Sequence, residues 1–392
     1  MKTAWAPAEV DPVLLDGVRR RLAGVDGPLT AARVAEAVRE EGGALRGDVE
    51  LLGVLRVLQS EIVGAGPLEP LLADPEVTDV LVNGPAEVWV DRGRGLERSA
   101  VRFPDEAAVR RLAQRLAAPS GRRLDDAQPW VDARLPDGVR LHAVLPPVAT
   151  GGTCLSLRVP RRRAFTLEEL VAAGALPPDG ARLLDRLVAA RTSFLVTGGT
   201  GTGKTTLLAA LLSRVGPDER LLLVEDSGEL APHHPHVVRL EARPPNVEGA
   251  GAVTLRDLVR QALRMRPDRL VVGEVRGAEV TELLAALNTG HDGGCGTLHA
   301  NSAADVPARL EALATAAGLE RHALHSQLAA GLRVAVHLAR EHGTGRRRLA
   351  QVCALQRGTA GLVEASPAWS WDGRSAAGDR GPAAAALDAL TS

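Results

Sequence analysis

Residues 197–207, TGGTGTGKTTL, contain the residue types that together bind phosphate. Gly198, Gly203, Lys204 and Thr205 satisfy the spacing GxxxxGK followed by Ser or Thr, with an apolar run before them and a helical pattern after them. Glycines in this setting let backbone N–H groups point at phosphate oxygens, and the helix N-terminus adds positive potential. The lysine can reach the β- and γ-phosphates, and the threonine hydroxyl can bind Mg²⁺. The segment therefore predicts a site for ATP with Mg²⁺.

Acidic residues end two of the apolar runs that follow. LLLVEDSGEL leads to Glu225, Asp226 and Glu229, and LVVGEV leads to Glu274. Ligands of open α/β sheets bind at the carboxyl ends of the strands, and ATP hydrolysis needs acids there to hold the metal and activate a water. Glu274 is the sole acid at the tip of the more apolar run, so it is the predicted catalytic base. Glu229 is the predicted second carboxylate, and both acids are expected around the metal with Thr205.

Residues 161–340 alternate short apolar runs with helical patterns, which is typical of βαβ units on a parallel sheet. Thr166 and Glu169 stand in capping-box register ahead of one helical pattern, and Thr254 and Asp257 do so ahead of another. These pairs predict where two helices begin. The first pair also marks the start of this domain.

Two further segments precede this domain and one follows it. Residues 60–160 contain several β-rich runs and predict a smaller mixed α/β domain. Residues 1–59 are expected to be a helical segment, with helices at 30–40 and 51–62. Residues 341–392 are rich in Ala, Gly, Ser and Pro, and are expected to be a partly disordered tail.

The composition excludes several classes of protein. The 47 Lys and Arg residues nearly balance the 48 Asp and Glu residues, so the chain lacks the overall basic charge of a nucleic-acid binder. No stretch of 18 apolar residues and no signal-peptide pattern occurs. The three cysteines form no CxxC pair and fit a reducing compartment. We therefore expect a cytoplasmic protein that is at most peripheral to a membrane.

Five motifs stand in order along the chain: GGTGTGKTT, VEDSGEL, PHVVRLEARPPNVEG, LRDLVRQALRMRPDRLVVGEVRG and LNTGHDGGCGTLHANS. Together they resemble the secretion ATPases of the type II/type IV superfamily, in the branch that powers Tad (CpaF-type) pilus assembly. GPLEPLLADPEVTDVLVNGPAEVWVDRG is similar to the N-terminal domain of that branch, so the resemblance runs from about residue 60 to about residue 340. It implies a RecA-like P-loop ATPase domain with a parallel sheet, preceded by a smaller mixed α/β domain related to sensory modules. It also implies a ring of six chains, with the nucleotide held between the two domains.

The resemblance assigns roles to individual residues. It places the phosphate-cradling Walker A motif on Gly198, Gly199, Thr200, Gly201, Thr202, Gly203, Lys204, Thr205 and Thr206. The acidic Asp box falls on residues 225–229 and the Walker B glutamate on Glu274. His299 in the HANS stretch is implied to sense the γ-phosphate. Arg140 and Arg158 match N-terminal arginines that reach the phosphates in this family, where positive charge would stabilise the transferring phosphoryl group.

The resemblance thus implies an ATP-hydrolysing motor. A homohexameric ring would open and close its clefts during hydrolysis and drive an integral platform protein of the cell membrane, which assembles pilin subunits or secretes substrate. The motor would work in the cytoplasm, peripheral to the inner face of that membrane. Direct binding of nucleic acid is not expected.

Two alternatives stay open. Related ATPases are associated with conjugation machinery, so the motor could serve conjugal transfer and the transport of DNA, although the near-neutral charge weakens direct handling of DNA. The other alternative is a nucleotide-binding assembly scaffold that changes shape without useful turnover. The complete set of acids and arginines disfavours that second alternative.

Overall fold

The computed structural model describes most of the chain. The described residues are 17–18, 21, 31–41, 64–93, 95–160, 163–243, 245, 250–341 and 343–391. The chain forms two compact units, Met1–Arg161 and Arg162–Ser392, which divide one residue after the boundary that the sequence indicates. Helix α1 spans Ala31–Glu41, close to the predicted span of 30–40. The helix predicted at 51–62 lies outside the described residues.

The N-terminal unit is built on one antiparallel sheet. Its strands are β1 (Asp79–Asn83), β2 (Val88–Asp91), β3 (Leu96–Arg98), β4 (Trp130–Arg134), β5 (Arg140–Val144) and β6 (Cys154–Arg158), and its helices are α2 (Glu69–Ala73) and α3 (Glu106–Ala117). The strand order is β3-β2-β1-β6-β5-β4. Asp105 caps the N-terminus of helix α3, since its carboxylate accepts the N–H of Ala108, and the helix buries Leu112 and Leu116 against the sheet. The predicted mixed α/β architecture is confirmed for this unit.

The C-terminal unit is built on a larger sheet. Its strands are β7 (Phe194–Gly198), β8 (Leu221–Glu225), β9 (Val237–Glu241), β10 (Arg269–Val275), β11 (Cys295–His299), β12 (Val334–Arg340), β13 (Arg347–Arg357), β14 (Val363–Ser370) and β15 (Asp379–Arg380). The strand order is β15-β14-β13-β12-β7-β11-β10-β8-β9. The portion from β12 to β9 is parallel, and β13, β14 and β15 are antiparallel. Every residue of β7 and β8 is buried, as expected for parallel strands that are covered on both faces.

Helices cover both faces of this sheet. They are α4 (Leu167–Ala172), α5 (Pro178–Ala189), α6 (Lys204–Leu212), α7 (Leu255–Ala262), α8 (Glu279–Leu287), α9 (Val306–Ala316), α10 (Arg321–Gly331) and α11 (Ala384–Ala389). Helices α4, α5, α6 and α11 share one core with Val196 and Leu223, whereas α7 to α10 share another with Leu195 and Leu222. Neighbouring strand residues point to opposite faces, so each buried strand contributes to both cores. None of the described helices combines the length and apolar character needed to span a membrane.

Both predicted capping boxes are formed. At α4, the Glu169 N–H donates to Thr166 Oγ1 at 3.1 Å, and the Thr166 N–H donates to Glu169 Oε2 at 2.9 Å. At α7, the Asp257 N–H donates to Thr254 Oγ1 at 3.2 Å, and the Thr254 N–H donates to Asp257 Oδ2 at 3.1 Å. These bonds satisfy N–H groups that have no partner within the helix, so the start of each helix is determined locally.

The prediction that residues 341–392 form a partly disordered tail is wrong. Strands β13 and β14 extend the central sheet, with Val352 opposite Val336 of β12. Trp369 and Trp371 are each 6% exposed, and α11 packs in the same core. The small residues of this segment resemble a linker in composition, but its large apolar side chains fall on the buried faces of two long strands. This segment therefore belongs to the C-terminal unit.

Candidate functional site

The predicted phosphate-binding loop lies between β7 and α6. Strand β7 ends at Gly198 and α6 begins at Lys204, so the loop has the predicted strand before it and helix after it. Gly198, Gly201 and Gly203 have φ values of 147°, 70° and 95°, which residues with a side chain rarely adopt. A Cβ atom at Gly198 would also lie 2.5 Å from the carbonyl oxygen of Leu338. Conformation and space both require glycine here, and the loop forms the cradle that a phosphate group needs.

Lys204 folds back over this loop. It is 8% exposed, and its Nζ donates to the carbonyl oxygens of Gly198 and Gly199 at 3.0 and 2.8 Å. Burial lowers the pKa of Lys204, and the charge of Glu274 opposes that shift. The ammonium group is thus held by neutral acceptors, and a phosphate oxygen would be a stronger partner.

Glu274 and His299 meet at the carboxyl ends of neighbouring strands. Glu274 is the penultimate residue of β10, and His299 ends β11, where it pairs with Gly198 of the phosphate loop. His299 Nε2 lies 3.9 Å from Glu274 Oε1. Burial lowers the pKa of His299, the charge of Lys204 lowers it further, and the charge of Glu274 opposes both effects. Lys204, Glu274 and His299 therefore lie close enough at one edge of the sheet for their charges to interact.

Arg276 connects two acids at this edge. Its Nη2 donates to Glu274 Oε2 at 2.8 Å and lies 2.9 Å from Asp226 Oδ2. Asp226 follows β8, the strand that pairs with β10. The sequence makes Arg276 a further candidate but leaves its role open, because its contact with Asp226 depends on the order of the strands. In the structure, Arg276 orients the carboxylate of Glu274.

Glu225 is buried and holds the turn that carries Glu229. It is 3% exposed, and its Oε1 accepts the N–H groups of Glu229 and Leu230, both at 3.0 Å. Burial raises the pKa of Glu225 to about 7, against the lowering effect of these two N–H groups. A Cβ atom at Gly273 would lie 2.7 Å from Glu225 Cγ, so the glycine before Glu274 makes room for this side chain. Glu225 therefore positions the turn after β8.

Three arginines form one row across the sheet of the N-terminal unit. Arg140 of β5 pairs with Arg158 of β6 on one side and with Arg134 of β4 on the other. Asp79 belongs to the same row, 3.8 Å from Arg158 Nε. No sequence motif singled out Arg134. The Pro-Asp-Gly turn at 136–138, which joins β4 to β5, is the signal that could have paired Arg134 with Arg140.

The C-terminal unit thus brings most of the predicted site residues to one edge of its sheet. The phosphate loop and the first turn of α6 contain Gly198, Gly199, Thr200, Gly201, Thr202, Gly203, Lys204, Thr205 and Thr206. Glu274 and His299 lie beside them, and Glu229 follows β8 on the turn that Glu225 holds. Arg140 and Arg158 belong to the N-terminal unit.

Known proteins are similar to this chain in sequence and in fold. The model of the family described as "Type II/IV secretion system protein" matches residues 61–366. A Mycobacterium tuberculosis protein named as a conjugal transfer protein is 63% identical over 332 residues, which is 83% of this chain and 94% of that protein. The type IV secretion system protein VirB11 of Brucella suis is 34% identical over 264 residues, which is 60% of this chain and 72% of that protein.

Two solved structures have the same fold. The Legionella pneumophila ATPase DotB is 20% identical with a TM-score of 0.54, and the match covers 75% of this chain and 80% of that one. The pilus retraction motor PilT, solved with ADP bound, is 22% identical with a TM-score of 0.53, and the match covers 75% of this chain and 83% of that one. The family match spans both units of the structure, from before α2 to a point within β14. The chain therefore belongs to the type II/IV secretion system protein family, a family of secretion ATPases.

Proposed function

We propose that the protein is an ATP-hydrolysing motor that powers Tad-type pilus assembly or protein secretion through a platform protein of the cell membrane. The observation that carries this proposal is the convergence of Lys204, Glu274 and His299 beside the glycine cradle. Phosphoryl transfer to water needs phosphate-binding and water-activating groups in one place. Membership of the secretion family supports the coupling of hydrolysis to transport.

The loop residues bind and orient the phosphate groups of ATP. The backbone N–H groups of residues 198–206 and the N-terminus of α6 attract phosphate oxygens. Lys204 exchanges the carbonyl oxygens of Gly198 and Gly199 for the β- and γ-phosphates. Because the new partner is charged, the exchange strengthens each hydrogen bond of the ammonium group.

Thr205, Glu229 and Glu274 would hold Mg²⁺. A hydroxyl and two carboxylates are the hard oxygen donors that this ion prefers, so the residues present fit it. When bound, Mg²⁺ neutralises part of the negative charge on the phosphates. Glu225 keeps Glu229 in place through the N–H groups of the turn.

Glu274 is the proposed base. Its Oε2 is held by Arg276 at 2.8 Å, so the carboxylate is oriented to take a proton from the attacking water. Burial and the charge of Lys204 lower the pKa of His299, which favours the neutral imidazole. A neutral imidazole can donate one N–H to the γ-phosphate, which makes His299 the proposed sensor of that group.

Arg140 and Arg158 are the proposed source of positive charge on the transferring phosphoryl group. Positive charge from these two guanidinium groups would stabilise the charge that develops on the phosphoryl group during its transfer. We propose that six copies form a ring. Opening and closing of the ring's nucleotide clefts would drive the platform protein from the cytoplasmic side of the membrane.

Conjugal transfer is a second candidate function. The name of the Mycobacterium tuberculosis relative favours it. The balance of 47 basic against 48 acidic residues disfavours direct handling of DNA, since DNA binding draws on positive charge. An assembly scaffold without turnover is a third candidate, which the set of acids around the loop disfavours.

Steady-state ATP hydrolysis by the purified chain, over a range of protein concentrations, tests the proposal. We expect the specific activity to rise with concentration as chains associate into a ring. Binding of ATP without turnover, both alone and with membranes that contain the platform protein, would instead support the scaffold. Steeply salt-dependent DNA binding that stimulates hydrolysis would support conjugal transfer.

A further inference from the structure

Two arginines of the hairpin between β12 and β13 lie beside the phosphate loop. Arg340 ends β12 and Arg347 begins β13, and the two face each other across the strand pair. In the sheet, β12 lies on one side of β7, and β11 and β10 lie on the other side of β7. The hairpin therefore approaches the loop from the side opposite to Glu274 and His299.

Both arginines come close to loop glycines. A Cβ atom at Gly201 would lie 3.5 Å from Arg340 Nη1, and one at Gly203 would lie 3.7 Å from Arg347 Cδ. A cleft of about 590 Å³ between the loop and the hairpin is lined by Arg340 and by Asn301. The guanidinium group of Arg340 and the side-chain stem of Arg347 thus border the loop whose N–H groups form the phosphate cradle.

Neither arginine has an acidic partner among the residues that the structure describes. Arg340 Nε donates to the carbonyl oxygen of Gly345 at 3.3 Å. The nearby acid Glu341 lies 3.9 Å from Arg348 and accepts a hydrogen bond from a threonine of the turn. Like charges directly opposite on a strand pair are unfavourable. The pair therefore places positive charge beside the loop, and Glu341 is an acid that lines the same cleft.

The arginines that flank Arg347 have other partners. Arg346 Nη2 donates to the carbonyl oxygen of Gly174 at 3.0 Å. Arg348 Nη1 donates to the carbonyl oxygen of Trp371. Of the three consecutive arginines in this run, Arg347 is the one beside the phosphate loop.

We propose that Arg340 and Arg347 contact the phosphate groups of the bound nucleotide. They would add to the positive charge that Lys204 of the same chain provides at the site. The inference rests on the proposed binding of ATP. Guanidinium groups bind phosphate oxygens through paired, charge-assisted hydrogen bonds. Two such groups add contacts that a diphosphate or triphosphate can use more fully than a monophosphate.

Calorimetric titration of the full chain with ATP, ADP and AMP, in buffer containing Mg²⁺, tests this inference. Arg340→Gln and Arg347→Gln should each weaken the binding of ATP and ADP about tenfold or more, because each removes charged hydrogen bonds to phosphate. AMP should lose less affinity. Arg346→Gln removes the same charge from the same hairpin and is the matched control, for which we expect the wild-type affinity. All three variants should keep the wild-type unfolding midpoint without nucleotide.

Each other outcome has a distinct meaning. Wild-type affinity for ATP in Arg340→Gln and Arg347→Gln would overturn the inference and leave the proposed function intact. An equal loss in Arg346→Gln would also overturn it, since the effect would then follow net charge. An equal loss for AMP would place the contacts away from the terminal phosphates and overturn the assignment. Failure of the wild-type chain to bind either ATP or ADP would contradict the proposed function itself.

Discussion

Gly198 is a position at which a single Cβ atom would disturb the site. Its φ of 147° is unfavourable for other residues, and the added atom would lie 2.5 Å from a backbone oxygen. We expect Gly198→Ala to abolish ATP binding and to lower the free energy of unfolding by about 2 kcal/mol or more. Gly199→Ala is the matched control, because its Cβ would meet Thr202 Cγ2 at 3.9 Å. Titration with ATP and thermal unfolding measure both effects, and equal behaviour of the two variants would contradict the role of loop geometry.

Glu225 makes the free energy of unfolding depend on pH. Its pKa is raised to about 7 in the folded chain, so the folded state keeps a proton that the unfolded state releases between about pH 4.5 and pH 7. This contribution of Glu225 to the free energy of unfolding is fully present below the pKa of its carboxyl group in the unfolded chain. It is lost as the pH rises through the pKa of that group in the folded chain. The loss amounts to at most about 3 kcal/mol.

Glu225→Gln cannot titrate, so we expect a smaller fall of the unfolding midpoint between pH 5 and pH 8 than in the wild type. Glu364→Gln changes an exposed glutamate of the same unit and should keep the wild-type slope. The comparison uses slopes, because the buried amide also changes the midpoint itself. Identical slopes for the wild type and Glu225→Gln would contradict the buried, protonated state.

Some of the site residues could be predicted from the sequence and others could not. The glycines of the loop and Glu274 follow from spacing within short segments, because one strand, one turn and one helix set their geometry. Arg276 contacts Asp226 and Arg347 approaches Gly203, and these contacts between residues distant in sequence exist because of the strand order. A single sequence carries no local signal for such contacts.

At the scale of secondary-structure elements, the start of a helix depends on residues that are close in sequence. The pairing of strands at the edge of a sheet depends on residues that are distant in sequence. The capping box at α7 involves two side chains three residues apart, so the sequence alone was enough to predict it. Strand β13 pairs with β12 on one side and with β14 on the other, and its burial depends on both. Composition is a poor guide to such a segment, which explains the failure of the disordered-tail prediction.

Trp369 tests the corrected assignment of the C-terminal segment. It is 6% exposed, and its Nε1 donates to Asp179 Oδ2 of α5 at 3.0 Å. We expect Trp369→Ala to lower the free energy of unfolding by about 3–5 kcal/mol, and Trp369→Phe to cost less because it fills more of the space. Thermal unfolding measures both. A mobile tail would leave both variants at the wild-type midpoint, which would contradict the structure.

At the scale of the whole molecule, the two units contribute different chemistry. The C-terminal unit contains the phosphate loop, the acids and His299, whereas the N-terminal unit presents the row of Arg134, Arg140 and Arg158. The family match covers both units, so the N-terminal sheet lies within the region that the family model matches. A motor of the proposed kind needs such a division, because movement between units can then be coupled to the state of the phosphates.

The most direct test of the account compares Glu274→Gln with the wild type in ATP binding and ATP hydrolysis. Glu364→Gln, an exposed change of the same type in the same unit, is the control. We expect Glu274→Gln to bind ATP and to lose hydrolysis by about 10²-fold or more, as for the removal of a general base, and we expect Glu364→Gln to match the wild type. Hydrolysis by Glu274→Gln at the wild-type rate would contradict the central claim that Glu274 activates the water at this nucleotide site.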